Sequence, residues 1–519
     1  MKFFDQKVKL ARVKKSKFDL SHEKKLTLNM GKLVPILCQD VMPGDSFRVS
    51  TEQMMRIAPM IAPMMHRVNV YMHYFFVPNR LVWNEWEDFI TGGQPGSARP
   101  VFPTINAGEI WNSPPQNDWH KSSLADYLGV PTYGDKTTIV NATFGQPISA
   151  LPFRAYQLIW GEYFRDQDLQ GGPQFKVDKT SGPVPTANYG EHLTLRNRCW
   201  EKDYGTSSRP QAQKGGAVSL PFSYADVSSV VDVNGNAINT DSYIGNNAGG
   251  LGGMSVGKTS PTDGLAGRIE NIEALATINE FREANALQRF LEKLSRSGNR
   301  YIEYIKMIFH ETSSDSRLQR PEYLGGGRAP IVISEVLSTY DNTTGGLPQG
   351  TMSGHGIAIG NTNGFTQKFN EHGYIIGLMS VLPRTGYQQS LERHWTRKDQ
   401  FDFPIPDFAH LGEQAVHNHE IYLDYVAGLN DQTFGYQSRY SECKFKNSTS
   451  HGDFRDNLLF YTMDRIFATR PALNSIFVES DPTTRVFAIT DPDIDHLWCN
   501  LHHSISAVRP LPYNGIPTL

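Results

Sequence analysis

The sequence predicts a mainly β, antiparallel fold of the jelly-roll type, with long loop insertions and a few helices. Three observations point that way. Strand-like pieces recur between turn signals, and the spacers between them are too long for tight hairpins. Their antiparallel partners must therefore be distant in sequence, as the Greek keys of a jelly roll require. The 45 Gly, 31 Pro and 11% aromatic content favour a turn-rich β protein. No internal repeat is present, which argues against a propeller or a solenoid.

The most informative element is Arg67 to Gly93, RVNVYMHYFFVPNRLVWNEWEDFITGG. Val68, Val70, Met72, Tyr74 and Phe76 alternate with Asn69, Tyr71, His73 and Phe75, which predicts a long strand with one apolar and one mixed face. Pro78-Asn79 ends it, and Trp83, Trp86, Phe89 and Ile90 then recur at helical spacing. That much aromatic surface suits a chain that packs against copies of itself. Further strands are expected at Asp45–Ser50 after the Pro43-Gly44 turn, and at Tyr374–Leu382, Glu420–Ala427, Asn457–Phe467, Arg485–Thr490 and Cys499–Val508. One strong helix starts at Thr277, where Ile278, Phe281, Leu287, Phe290, Leu291 and Leu294 form an apolar stripe. Ser297-Gly298 ends it, and a second helix follows with Tyr301, Ile302, Ile305, Ile308 and Phe309. Such helices pack on their own sheet or form a seam between subunits.

Length allows two to four ordinary domains or one elaborated domain. A net charge of −3 and a 39% hydrophobic fraction describe a globular chain, not a nucleic-acid-coating one. Cys38, Cys199, Cys443 and Cys499 lack metal or redox spacing and read as buried thiols of a reducing compartment. The basic start is followed by no apolar stretch, so no signal peptide is expected, and the longest apolar run, Tyr374 to Leu382, is too short to cross a bilayer.

Several motifs tempt. Gly252 to Thr259, GGMSVGKT, fits the P-loop pattern, but IGNNAGGL before it cannot make the required strand, and Pro261 falls where the helix should propagate. Asp491, Asp493 and Asp495 imitate the start of a calcium loop, yet His496 stands where Gly is needed and His502 where Glu is needed. They read as a solvated acidic turn. His417 and His419 share a face if extended, but no third metal ligand is evident. His394 beside Trp395 and the His502-His503 pair read as hydrogen-bonded structural residues. No catalytic phrase of the GxSxG, HExxH or Cys/His kind occurs, so neither a catalytic site, a metal nor a cofactor is expected.

Two segments read as interaction elements. Lys7, Lys9, Arg12, Lys14, Lys15 and Lys17 accumulate in a stretch without acidic residues, flanked by Phe3, Phe4 and Phe18. This is either a solvated terminus or an arm that neutralises phosphates while its aromatics stack on unpaired bases. Ala217 to Ala266 is rich in Gly, Asn, Ser and Thr, and loops of such length are commonly disordered or functional.

Particular phrases then add a resemblance. FFVPNRLVWNEWEDF, SKFDLSHEKK, LVPILCQDVMPGDSF, RCWEKDYGTSSRPQAQKG, TINEFREANALQRFLEKLSRSGNRYIEYI and SDSRLQRPEYLGG closely resemble, in the same order, the major capsid proteins of gokushoviruses, small single-stranded DNA phages of the microvirus family. They span most of the chain outside Ala217 to Ala266. The resemblance implies a single eight-stranded viral-coat jelly roll whose pentamers assemble into a closed T=1 icosahedral shell around circular single-stranded DNA. It implies residues 1–30 as a basic internal arm, 31–216 as the first part of the jelly roll, 217–266 as a variable surface protrusion that contacts a host receptor, and 267–519 as a helical segment and the jelly-roll remainder. The partners it implies are the DNA genome, a small basic DNA-packaging protein, a pilot protein, a scaffolding protein and a host surface receptor, with assembly in the bacterial cytoplasm and no membrane insertion. The competing readings are a carbohydrate-active or lectin-like jelly-roll enzyme, and more weakly an NTPase resting on Gly252 to Thr259.

Overall fold

The computed structural model describes residues 14–93, 99–106, 121–131, 147–171, 177–216, 218, 229–232, 265–268, 278–297, 301–310, 312, 314–337, 352–489, 491 and 494–514. The chain divides into two compact units, Met1–Ala212 with Gly298–Leu519, and Gln213–Ser297.

The first unit is built on two antiparallel sheets. Its strands are β1 (Ser16–Asp19), β2 (His22–Leu28), β3 (Val34–Val41), β4 (Ser46–Ile57), β5 (Val68–Pro78), β6 (Glu322–Pro330), β7 (Val332–Leu337), β8 (Met352–Lys368), β9 (Gly373–Pro383) and β10 (Leu497–Arg509). The larger sheet runs β1-β10-β4-β8-β7, with β2 also paired to β10; the smaller runs β6-β5-β9-β3. Partners such as β10 and β4 are far apart in the chain, as the long spacers demanded. The fold is therefore mainly β with few helices, in keeping with a jelly-roll-like coat.

Alternation decides which side chains enter the core. In β10, Leu497, Cys499, Leu501, His503, Ile505 and Ala507 point inward. In β5, Val68, Val70, Met72, Tyr74 and Phe76 enter the same core between the sheets, while Phe75 and Val77 enter a second core. The two faces read from Arg67 to Phe76 are thus both buried. Trp83, Phe153, Tyr156, Ile159 and Trp160 cover the second face. They come from the break after α1 (Asn79–Val82) and from α4 (Leu151–Ile159), which runs on into a π-turn at Trp160–Phe164; α2 (Trp86–Thr91) and α3 (Leu124–Leu128) complete that layer. Trp83 itself sits in an extended conformation (φ −146°, ψ 118°), so α1 and α2 are two short helices where helical spacing suggested one. The aromatic surface that suggested contact with other copies is covered largely by the chain's own helices.

Two glycines show why the strands run where they do. Gly44 has φ +93° in the turn between β3 and β4, a region that suits Gly. A Cβ on Gly326 in β6 would come within 2.3 Å of the Met72 carbonyl oxygen of β5.

Three expected strands are absent. Glu420–Ala427 begins in a 3-10 turn, Asn418–Glu420, where the Glu420 carboxylate accepts the His417 amide at 2.8 Å. Asn457–Phe467 holds the 3-10 turn Leu459–Tyr461. Its carbonyls at Leu459, Thr462 and Asp464 accept from the Arg485 guanidinium at 2.9–3.1 Å, so an arginine satisfies them where a neighbouring strand would. Arg485–Thr490 contributes one bridge, Phe487 to Met60. Conversely β1, β2, β3, β6, β7 and β8 are strands that the sequence reading does not predict. The expected helices are α5 (Ile278–Ser297), in the second unit, and α6 (Tyr301–Phe309). Phe281, Leu287 and Phe290 of the α5 stripe are exposed.

A buried polar chain joins four strands. The Tyr74 hydroxyl donates to Thr51 Oγ1 at 2.6 Å, and Thr51 Oγ1 lies 2.8 Å from His503 Nδ1. His503 Nε2 lies 3.1 Å from the Ile36 carbonyl. A carbonyl only accepts, so Nε2 carries the proton and Nδ1 accepts from Thr51. Burial pushes His503 down to about 4, reinforced by His22, Lys24 and His502 and opposed by the Ile36 hydrogen bond. The unfolded imidazole titrates near 6.5. Stability from this group is hence complete above about pH 6.5 and is lost as pH falls toward 4, on the order of 3 kcal/mol in all. Urea midpoints of the unassembled chain measured from pH 7 to 4.5 should fall, and His503→Asn should flatten that fall; parallel curves for parent and variant would refute the assignment.

Candidate assembly and nucleic-acid surfaces

Of the basic residues singled out, Lys7, Lys9 and Arg12 lie outside the described residues. Lys14, Lys15 and Lys17 are exposed. Lys15 Nζ donates to the Gly44 carbonyl at 2.5 Å, and Lys17 stands opposite Val508 in the β1–β10 ladder. From Ser16 the segment is strand, with Phe18 half-buried and its ring parallel to Tyr513 at 6.0 Å between centroids.

Most of Ala217 to Ala266 lies outside the described residues, as do all of Gly252 to Thr259 and Asp493. What is described is the base of that segment: Ser229–Asp232 pairs antiparallel with Leu265–Arg268. Asp495 accepts from Thr27 Oγ1 at 2.6 Å and from Ser122 Oγ, so its carboxylate ties two segments together. The His417 and His419 rings stack at 5.6 Å, and their Nδ1 atoms lie 2.8 and 3.1 Å from the carbonyls of Asp431 and Asn430. Among the described residues no group of three His, Cys, Asp or Glu side chains is placed to hold a metal ion. His394 Nδ1 lies 3.1 Å from Glu392. Among the described residues no helix is long and apolar enough to cross a membrane.

The phrase RCWEKDY, read only as a resemblance in sequence, proves to be a clasp. The Arg198 guanidinium lies 4.3 Å over the Tyr71 ring and donates to Ser380 Oγ at 3.0 Å. Glu201 accepts from the Tyr71 hydroxyl and from Arg384 at 3.1 Å. Lys202 pairs with Asp166 at 2.7 Å, Asp203 accepts from Tyr387, and Tyr204 donates to buried Glu420 at 2.6 Å. Burial and Glu420 hold the Tyr204 phenol well above its usual range. Arg198 and Glu201 thus reach β5, while Glu201, Asp203 and Tyr204 reach the long connection 384–496, and Tyr204 joins Tyr387, Phe434 and Phe477 in a small core. Sequence reasoning missed this clasp because its partners lie up to 216 residues away.

That connection carries much of the exposed apolar surface. Trp395 is 72% exposed and Tyr425 fully so; Phe401, Leu411, Phe445 and Ile476 are also exposed. These residues are the connection's candidates for contact with another molecule.

The cysteines divide. Cys499 is buried, Cys38 and Cys199 partly so, and Cys443 is exposed, which corrects the expectation of four buried thiols. Burial pushes Cys38 and Cys499 up to about 12 and Cys199 to about 11.

Comparison with known proteins agrees with this picture. The capsid protein (F protein) family matches residues 6–519. The chain is 35% identical to capsid protein VP1 of Bdellovibrio phage phiMH2K, covering 97% of this chain and 95% of that one. It is 33% identical to capsid protein VP1 of Chlamydia phage 1, covering 99% and 97%. Capsid protein VP1 of Spiroplasma virus 4 is 27% identical over 98% and 96%. The resemblance read from the phrases is borne out.

Thiolate, not thiol, reacts with alkylating agents. In the unassembled native chain Cys443 should therefore label first with iodoacetamide, and the other three only in denaturant; peptide mapping showing Cys38 or Cys499 labelled as fast would contradict these placements.

Proposed function

The chain belongs to the capsid protein (F protein) family, and from that premise we propose that it closes, through pentamers, into a T=1 icosahedral shell around circular single-stranded DNA. It is a major capsid protein, a structural molecule and not an enzyme. The observation that supports shell building best is the pairing pattern. β1 and β2 lie end to end along β10, which gives the larger sheet five positions, β1/β2, β10, β4, β8 and the edge β7, and the smaller sheet four, β3, β9, β5 and β6. We read all but β7 as the eight strand positions of a jelly roll, with β1 and β2 sharing one and β7 as an added edge. Long connections leave such a sandwich free to meet its neighbours, and exposed Trp395, Phe401, Tyr425 and Phe445 supply apolar contact. Each contact is modest, but closed symmetry requires many to break together.

In this reading Lys7, Lys9, Arg12, Lys14, Lys15 and Lys17 face the genome, alone or with a small basic DNA-packaging protein. The segment Ala217 to Ala266 projects outward and meets a host surface receptor. Assembly takes place in the host cytoplasm with a scaffolding protein, and a pilot protein joins the virion.

Sedimentation and negative-stain imaging of the expressed chain, with its scaffolding partner present, should show uniform closed particles or pentamers competent to form them; a persistent monomer would overturn the proposal. Trp395→Ser with Phe445→Ser should lower particle yield severalfold while changing the monomer's stability by only about 0.5 kcal/mol, as surface substitutions do. Lys14→Gln, Lys15→Gln and Lys17→Gln together should reduce packaged DNA and lower the salt slope of DNA binding by about 2, roughly 0.7 per lost phosphate contact. Unchanged packaging would remove the arm's role.

A further inference from the structure

Helices cover the outer side of the smaller sheet, whereas the outer side of the larger sheet bears an open cleft of about 530 Å³ over β2, β4 and β10, beside α3. Cross-strand register sets its walls. Trp498, 44% exposed, stands opposite Arg56 of β4, and Asn500 stands between Lys25 of β2 and Met54 of β4. Arg56 and Lys25 are exposed, and Lys25 has only a 3.7 Å contact with exposed Glu23. Lys24 donates to the carbonyls of Pro35 and Tyr127 at 3.2 and 2.5 Å, so its ammonium is anchored at the cleft wall. Asp126, also in the lining, accepts the Ser122 amide at 2.9 Å. One polar atom is left over: Asn500 Oδ1 is buried without a hydrogen-bond partner.

A flat indole, two exposed cations and an unsatisfied amide acceptor form a complementary set. The ring offers a stacking platform, the cations suit a phosphate, and Oδ1 needs an N–H donor. An unpaired nucleobase with an exocyclic amine supplies all three, which a base stacked in a duplex does not. Arg48 of β4 and Lys17 of β1 point out from the same sheet face and lead from the cleft toward the arm.

We propose that this cleft seats one nucleotide of single-stranded DNA, its base stacked on Trp498, its exocyclic amine donating to Asn500 Oδ1 and its phosphate between Arg56 and Lys25. The proposal rests on the reading that the chain encloses single-stranded DNA, and it assigns the sheet face that the genome meets. Adenine, cytosine and guanine present an exocyclic amine to Oδ1, whereas thymine has only its ring N3–H, which lies between two carbonyls that would face the same acceptor.

The test uses the purified full chain and short fluorescein-labelled oligonucleotides. Trp498→Ala should weaken oligo-dC binding about tenfold, within the range known for loss of one stacked base, and Trp498→Phe should restore most of it. Asn500→Ala should narrow the preference for oligo-dC over oligo-dT severalfold, and Arg56→Gln with Lys25→Gln should lower the salt slope by roughly 0.7 per cation. Ultraviolet crosslinking followed by peptide mapping should place DNA on the Trp498 peptide. If the arm variant weakens binding while Trp498→Ala binds as before and no crosslink reaches that peptide, the cleft is refuted and the arm reading stands. If both variants bind as the parent does, both readings fall. Crosslinks from the Trp498 peptide to a second copy of the chain would assign the cleft to assembly and overturn the proposal.

Discussion

The constraint on which this structure depends is the position of β10. It is the last strand in the chain, yet it lies inside the larger sheet, bonded to β1 and β2 on one edge and to β4 on the other. Its inward residues, Leu497, Cys499, Leu501, Ile505 and Ala507, close the core between the sheets. Until it arrives, β2 and β4 have no common partner and the core lacks one wall. Contacts this distant in sequence make folding slow and leave strand edges exposed meanwhile. The charged stretch Glu23–Lys25 of β2 suits a strand that must stay soluble while it waits. His503 then fixes the register, because a slip of one residue would turn it and every core side chain of β10 to the outside.

The two sides of the sandwich serve different ends. The smaller sheet is sealed by α1 to α4, and Trp83, Tyr156 and Trp160 fill the space between. On the larger sheet, among the described residues, no helical layer covers Arg48, Met54, Arg56 and Trp498. Between the two, the clasp Arg198–Tyr204 couples β5 to the long connection, whose apolar rim faces outward. The two faces of the sandwich thus differ in cover and in charge.

How much of this was legible in the sequence depended on where each side chain pointed. β5 could be read from the alternation of an apolar with a mixed face, β9 from its continuous apolar run, and β10 and part of β4 from alternation of apolar with polar residues. β2 reads as charged and β6 as glycine-rich, so neither carries the apolar signal of a strand. β2 presents polar residues to the open face, and β6 needs glycine where its backbone meets Met72. The three false strands had suitable composition, but Arg485 and the Glu420 cap satisfy backbone groups that strand pairing would otherwise engage. The clasp left only a phrase as its trace, since no local pattern encodes partners two hundred residues away. The basic arm was visible as charge. The cleft was not, because Trp498, Arg56 and Lys25 become neighbours only through pairing register.

The short ladder Ser229–Asp232 with Leu265–Arg268 has a meaning beyond local structure. It brings together two stretches that are separated by 32 residues in the chain, Asp232 standing opposite Leu265. Closure entropy grows with the logarithm of loop length, about 0.6 kcal/mol for each doubling. The number of residues between Asp232 and Leu265 therefore enters the closure cost of this ladder only logarithmically.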